Sequence, residues 1–252
     1  GAAIWSTKPV SILDMSALFF IKFFYNHGLL QVQNRPNWWV IKGGSKQYVN
    51  KMIVGFKDKI RLSYPISKIR RVNGKIEIVV GNNHEFKHIF DAVVIATHSN
   101  QALDLLSDST DLELDILSKI SYQKNEALLH TDSSILPKNR SAWSSWNYFL
   151  SGDPNRPVTL TYNMNILQSL EAKPDFLVTL NGVDEINPSK IIKKVEYTHP
   201  LFTVDGIHAQ KKKNQINGHN NTYYCGAYWG NGFHEDGVNS ALDVCKAFGV
   251  SL

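Results

Sequence analysis

Gly226, Gly230 and Gly232, followed by Asp236, form the stretch of this chain best suited to chemistry. Glycine tolerates positive φ and lets a ligand approach the backbone closely. Asp236 stands at an expected helix N-cap. Val238, Ala241, Leu242, Cys245 and Phe248 follow at spacings of three and four on one apolar face, and Gly249 is the expected stop. Ahead of the loop, Thr222 to Tyr224 is a β-branched and aromatic run that predicts a buried strand. Strand, glycine loop and helix N-terminus together suit a phosphate, because free N–H groups and the helix dipole both point at the loop. The spacing departs from a dinucleotide fingerprint: Gly230, Gly232 and Gly237 read G-x-G-x-x-x-x-G, not G-x-G-x-x-G. Taken alone, a structural turn before a helix is the simpler explanation.

Other reactive residues form no such pattern. His130 with Asp132, His199 and His208 lack the H-x-x-x-H or H-E-x-x-H spacing of a metal site, and none is expected. Cys225 and Cys245 are too few and too far apart for a disulfide framework, which fits a reducing, cytoplasmic setting. The net charge of +5 is mild, and its clusters, Lys193–Lys194 and Lys211–Lys213, read as solvated faces rather than a nucleic-acid surface. Hydrophobic residues at 43% and charged residues at 19% describe a globular chain long enough to bury a sizeable core.

The elements that must position these residues are legible in order. A helix is expected over residues 14–27, capped by Asp14 or Ser16 and stopped at Gly28; it carries Phe19, Phe20, Phe23, Phe24 and Tyr25. That density implies burial on most sides, with a lipid-facing role at a membrane surface as the alternative. Trp38–Ile41 reads as a strand, Lys42 to Ser45 as a turn and Gln47–Phe56 as a helix. Ile66–Val72, Lys75–Val80 and Phe86–Phe90 read as a three-stranded meander, with turns at Asn73-Gly74 and Asn82-Asn83. Asp91 to Ala96 is a continuous apolar run, the mark of a strand buried on both faces, and a helix opens at Gln101. Asp108–Ile120 reads as a helix. Ala127–His130, Ala142–Phe149, Val158–Tyr162 and Phe176–Leu180 predict an antiparallel sheet, completed by Lys194–Tyr197.

Three stretches then carry a resemblance: WWVIKGGSKQYV, FDAVVIATHSNQALDLL and GAYWGNGFHEDGVNSAL. Together they are similar to flavoproteins of the amine-oxidase superfamily. GAAIWST, FFYNHGLL, LHTD, WSSWNY and YNMNILQ resemble, within it, bacterial FAD-dependent oxidoreductases associated with cyclopropane-fatty-acid-synthase-like methyltransferases. The resemblance spans essentially the whole chain. It implies an α/β (α+β) fold with an incomplete FAD lobe, residues 38–106 and 218–252, and an antiparallel-sheet substrate lobe, residues 107–217, joined by the helix of residues 1–37.

By the same resemblance FAD is the cofactor. Gly43, Gly44 and Ser45 would lie near the flavin, Ile66 near the adenine, and Ala96 and Thr97 beside the dinucleotide. Gly226 and Ala227 occupy a position where the family carries a G-E or G-D pair, and the acid is missing here. Gly232, Phe233, His234, Glu235 and Asp236 would lead into the helix that faces the flavin. The family's first βαβ unit, with its G-x-G-x-x-G loop, has no counterpart in this sequence, so the chain reads as a C-terminal portion that needs such a segment as partner. The substrate would be an amine or a lipid acyl chain, with Phe20, Phe23, Phe24, Trp146 and Tyr162 along its pocket. Hydride would leave a substrate C–H, and no catalytic side chain is singled out, since flavin oxidation asks little of side chains. A non-catalytic binding module is the competing reading.

Overall fold

The structure is a computed structural model, and it describes all residues except Trp38, residues 82–85, Leu150, Ser151, Pro154 and Leu252. The chain divides into two compact units, Gly1–Lys59 with Gln123–His199, and Ile60–Tyr122 with Pro200–Leu252. Residues 38–59 thus group with the antiparallel sheet, while 107–122 and 200–217 group with the parallel strands.

The first unit opens with helix α1, Ala17–Asn26, where Ser16 Oγ accepts a hydrogen bond from the Phe19 N–H at 3.4 Å. Phe23 is 4% exposed and packs on the Trp5 ring at 4.8 Å. Leu18, Ile21 and Tyr25 remain exposed on the other side, so the helix is buried along one face only. Helix α2, Lys46–Met52, continues as a 3-10 turn over Ile53–Gly55, close to the expected span. No strand forms at residues 39–41, and Trp38 lies outside the described residues. Trp39, Val40 and Ile41 are exposed; β-branched and aromatic residues make a strand only where an edge and a face receive them.

In the second unit β1 (Ile66–Val72), β2 (Lys75–Val80) and β3 (Phe86–Phe90) form the expected antiparallel meander. Asn73 and Gly74 both take positive φ, 52° and 74°, as a two-residue hairpin turn demands. The Asn82-Asn83 turn lies outside the described residues. Strand β4, Val93–Ile95, buries Val93 and Ile95 but leaves Val94 44% exposed, so burial on both faces is not met. Helices α3 (Ser99–Leu105) and α4 (Asp111–Ser118) follow, the latter with a Thr110–Glu113 capping box. Its buried side is Glu113, Ile116 and Leu117, while Leu112 and Leu114 face out.

The chain returns to the first unit in β5 (Tyr122–His130), whose first residue still belongs to the second. β6 (Trp146–Phe149), β7 (Thr159–Asn163), helix α5 (Met164–Gln168), β8 (Leu177–Leu180) and β9 (Ile191–Pro200) complete it. The sheet order is β6-β7-β8-β5-β9, and the β6–β7, β7–β8 and β8–β5 pairs are antiparallel. The predicted sheet is therefore present. One of its faces buries Thr159, Thr161, Asn163, Thr179, Leu128 and His130, a polar interior that alternation alone would not announce.

The second unit closes with α6 (Val204–Lys211), β10 (Thr222–Tyr224) and α7 (His234–Ala247). β10 pairs with β4 in parallel. Ile69, Ile76, Ile95, Leu106, Ile116 and Tyr224 belong to one core cluster that joins both small sheets to α3 and α4. Among the described residues no helix is long and apolar enough to cross a membrane.

Candidate functional site

The parallel β4–β10 pair sets the geometry. Its register places Thr222 opposite Val93 and Tyr224 opposite Ile95, and the Cys225 N–H donates to the Ile95 carbonyl at 3.1 Å. Both strands end together, so Ala96-Thr97 and Gly226-Ala227 emerge side by side. Crevices outside the carboxyl ends of parallel strands are where open α/β sheets receive ligands.

The loop after β10 is tightly built. The Gly226 N–H donates to Ser240 Oγ of α7 at 2.7 Å. The Gln210 side-chain amide of α6 donates to the Tyr228 and Gly230 carbonyls, each at 2.8 Å. A Cβ at Gly226 would stand 2.5 Å from the Tyr228 ring, and one at Gly230 would stand 2.3 Å from Asp236 Oδ1. Glycine is required at both for close approach, not for a fingerprint.

Asp236 is not the N-cap. α7 begins at His234, and Asp236 reaches back from its first turn so that Oδ2 accepts the Phe233 N–H at 3.0 Å. Gly232, at φ +92°, turns the chain early enough for this arrangement. Glu235 shares the first turn and is exposed. The apolar stripe of α7 is also thinner than expected: Ser240 and Val244 are its buried residues, while Val238 and Phe248 are exposed.

Ala96 is exposed and Thr97 half-buried, its Oγ1 donating to the His98 carbonyl at 3.1 Å. The His98 ring stacks on Tyr122 at 4.6 Å, and the Tyr122 hydroxyl accepts the Ser99 N–H at 2.9 Å. Burial lowers the His98 pKa and raises that of Tyr122. Ala96, Thr97, Gly226, Ala227 and residues 232–236 are thus elements of one end of the second unit. Ile66 begins β1 in the other small sheet of that unit, opposite Val80. Gly43, Gly44 and Ser45 belong to the first unit, on an exposed turn where both glycines have φ near +80° (81° and 82°).

Among the expected substrate residues, Phe20 and Phe24 stack at 4.3 Å and are partly exposed. Phe23 is taken up by Trp5 and by His27, whose ring lies 4.0 Å away, so it packs inside the unit rather than lining an open surface. Trp146 and Tyr162 are register partners on one face of the sheet, their rings 6.3 Å apart. A cavity of about 670 Å³ lies at the β6 edge, lined by Ser134–Lys138, Trp146–Phe149 and Thr161 among others, with Tyr162 outside it.

Sequence reasoning missed three residues that meet behind the strand ends: Arg71 of β1, Glu113 of α4 and Tyr224 of β10. Arg71 Nη2 and the Tyr224 hydroxyl both donate to Glu113 Oε1 at 2.5 Å. Nothing in their spacing joins them; only the capping-box pattern at Thr110–Glu113 was readable.

No family model and no curated protein matches the chain. Solved structures do. The chain is similar to a fatty acid isomerase from P. acnes that produces CLA, at 18% identity and a TM-score of 0.53, over 74% of this chain and 48% of that one. It is also similar to cyclohexylamine oxidase from Brevibacterium oxydans IH-35A, at 12% identity and a TM-score of 0.57, over 98% and 69% respectively. Putrescine oxidase, in a variant redesigned for cofactor binding, gives 10% identity and a TM-score of 0.56 over 82% and 53%. The chain therefore has an amine-oxidase-like mixed fold, and it spans about half the length of the isomerase and putrescine oxidase chains.

Proposed function

We propose that these residues are part of an FAD-dependent oxidoreductase acting on a substrate C–H, in an amine or a lipid acyl chain. The observation that carries this reading is the meeting of Ala96-Thr97 and Gly226-Ala227 beside the first turn of α7. That arrangement fits an anionic dinucleotide: main chain at two parallel strand ends, small side chains, and a positive helix terminus. When bound, FAD would supply the hydride acceptor. The protein's own part is to hold it. Thr97, Ala96 and Ala227 offer backbone and short side chains, while Gln210 and Ser240 keep the loop rigid. The Asp236 carboxylate accepts the Phe233 N–H. The Phe20–Phe24 and Trp146–Tyr162 pairs offer aromatic, uncharged surface to a substrate, and the likeness to a fatty acid isomerase supports the acyl chain as the first class to try. A βαβ unit from outside these residues would complete the pyrophosphate site on this reading.

FAD titration of the purified chain, followed by flavin fluorescence, tests the proposal. Weak but saturable binding is expected. Thr97→Glu should weaken it about tenfold, or about 1.4 kcal/mol, which a like charge within about 10 Å supplies. Binding that does not saturate, or that ignores the added carboxylate while the fold stays intact, would remove the cofactor reading and leave the binding-module one.

A further inference from the structure

The polar face of the first unit's sheet runs up to a cavity. Asn147, Thr161 and Thr179 are register partners on β6, β7 and β8, so their side chains stand on one face. Thr161 is 2% exposed and also lines the cavity of about 670 Å³ at the β6 edge. Tyr162, the next residue along β7, belongs to the opposite face.

Following the hydrogens along this face leaves donors without acceptors. The Asp132 N–H occupies His130 Nδ1, so His130 Nε2 carries the hydrogen that goes to Thr179 Oγ1. The buried Thr179 hydroxyl has one other partner, Thr161 Oγ1 at 2.8 Å, and donates to it. The Thr161 hydroxyl hydrogen is then left over, with no acceptor among the described residues. Asn163, two residues on and 1% exposed, repeats the pattern. Its Oδ1 accepts the Ile166 N–H at 3.2 Å, which fixes how the amide is turned, and its Nδ2 has no partner among the described residues. The Asn163 N–H donates to the Ser145 carbonyl at 3.1 Å, and Ser144 and Trp146, on either side of Ser145, line the cavity. A buried donor left unmet is costly, and an acceptor entering here would recover that cost.

The rest of the wall has the same bias. Its acceptor-only side-chain groups are already engaged: Asn147 Oδ1 takes the Ser144 N–H at 3.1 Å, and Glu185 is paired with Arg156 at 3.1 Å. Lys138 also lines the cavity, and its ammonium forms no ion pair among the described residues.

We propose that this cavity binds a small carboxylate with a flat apolar body. A carboxylate brings only acceptor oxygens, which is what Thr161 and Asn163 lack, and Lys138 offsets its charge. The body would lie against Trp146 and Phe149, which are 43% and 44% exposed. An ammonium would instead add donors to a wall already short of acceptors. The inference goes beyond the proposed function: the site lies within the first unit, on the face away from Tyr162, and its test needs no flavin.

The probes are 4-phenylbutyrate, 4-phenylbutanol and 4-phenylbutylamine, which share one apolar body, titrated into the isotope-labelled full chain. Two-dimensional NMR reads the Asn163 side-chain amide and the Thr161 backbone amide. The carboxylate should shift both saturably, the alcohol should bind about tenfold more weakly, and the amine should not bind. Thr161→Val should weaken the carboxylate about tenfold, whereas Thr161→Ser should keep its affinity. Lys138→Gln should weaken it several-fold, and Tyr162→Phe, on the other face, should change nothing. If Thr161→Val does not fold, Lys138→Gln and the three head groups still decide. No saturable shift would mean that water alone meets these donors, and would overturn the proposal. So would an alcohol or amine that binds as tightly as the carboxylate, or carboxylate binding that ignores Lys138→Gln.

Discussion

Each unit has its own buried polar network, and the two networks hold their units by different means. In the second unit Arg71, Glu113 and Tyr224 come from a strand, a helix and another strand far apart in sequence. Arg71 Nε also donates to Thr222 Oγ1 at 3.0 Å, and Glu113 Oε2 accepts the Thr110 N–H at 2.8 Å. In the first unit His130 Nδ1 accepts the Asp132 N–H at 3.1 Å, which leaves the His130 Nε2–H to donate to Thr179 Oγ1 at 2.7 Å. Thr179 and Thr161 then share a hydrogen bond at 2.8 Å. The neutral ladder rides on a register that the sheet backbone has already set, since Thr161 and Thr179 are direct partners. The charged one has no such scaffold: its ions themselves specify where α4 sits against β1 and β10. Burial by itself would raise the Glu113 pKa, but the Thr110 N–H, the Tyr224 hydroxyl and Arg71 outweigh it and the net shift is downward. Burial and the Glu113 carboxylate push Tyr224 far up.

The largest effect should come from breaking the charged network. Glu113→Ala removes the carboxylate shared by Arg71 and the Tyr224 hydroxyl, leaving Arg71 with Asp108 and Thr222, and it removes the Glu113 half of the α4 capping box. The expected loss is about 3–5 kcal/mol in a urea unfolding curve read by circular dichroism. Glu113→Gln keeps one carbonyl oxygen, which can accept from Tyr224 or from the Thr110 N–H but not from both, and should cost less than Glu113→Ala. A loss under about 1 kcal/mol for Glu113→Ala would mean that solvent replaces the carboxylate and that the two networks do not differ in kind.

The same contrast explains what could be read from the chain beforehand. Periodicity and turn chemistry located β1, β2, β3 and α1 nearly to the residue, because Asn73-Gly74 and the aromatic run act locally. The sheet of the first unit was legible for the same reason. Features set by tertiary contact were not. Val94 looks like its buried neighbours in sequence, but its exposure depends on what lies beside β4. Asp236 looks like an N-cap, but Gly232 starts the helix earlier and turns it into a first-turn carboxylate. Arg71 and Glu113 are separated by strands, a helix and turns, so no spacing rule could pair them. The strand–loop–helix at the C-terminal end was readable as a ligand site in outline; the meeting of Ala96 with Gly226 required the parallel register.

A middle-sized effect is expected in the neutral ladder. Thr179→Val keeps the β-branched shape and removes the hydroxyl, leaving the His130 Nε2–H without its acceptor and Thr161 without its partner. The cost should be about 1–3 kcal/mol by the same unfolding measurement, mostly the desolvation of an unmet donor. Pairing it with Thr161→Val measures the coupling, expected at about 0.5–1 kcal/mol for groups in contact. If Thr179→Val proved costlier than Glu113→Ala, the view that backbone register carries the first unit would be reversed.

The smallest effect separates the networks by pH. Burial lowers the His130 pKa, and the opposing pull of Asp132 does not cancel it. A histidine held neutral when folded binds fewer protons than it does unfolded, so its penalty is absent above about pH 6.5 and grows as pH falls below that value, at no more than about 1.4 kcal/mol per unit. The carboxylates act later. Burial alone would raise the Asp132 pKa, but the Asn187 N–H, Ser134 and Lys190 hold it well below the ordinary range. Its contribution and that of Glu113 are therefore complete above about pH 4 and are lost only as pH falls through the folded values. His98, lowered by burial as well, adds the same sign as His130 in the second unit. Unfolding curves between pH 4.5 and about 7 should thus slope upward with pH, and His130→Gln should flatten that slope by its own share while leaving the His98 share in place. An unchanged slope in His130→Gln would show that His130 takes up its proton within the fold, and the first network would then carry charge as the second does.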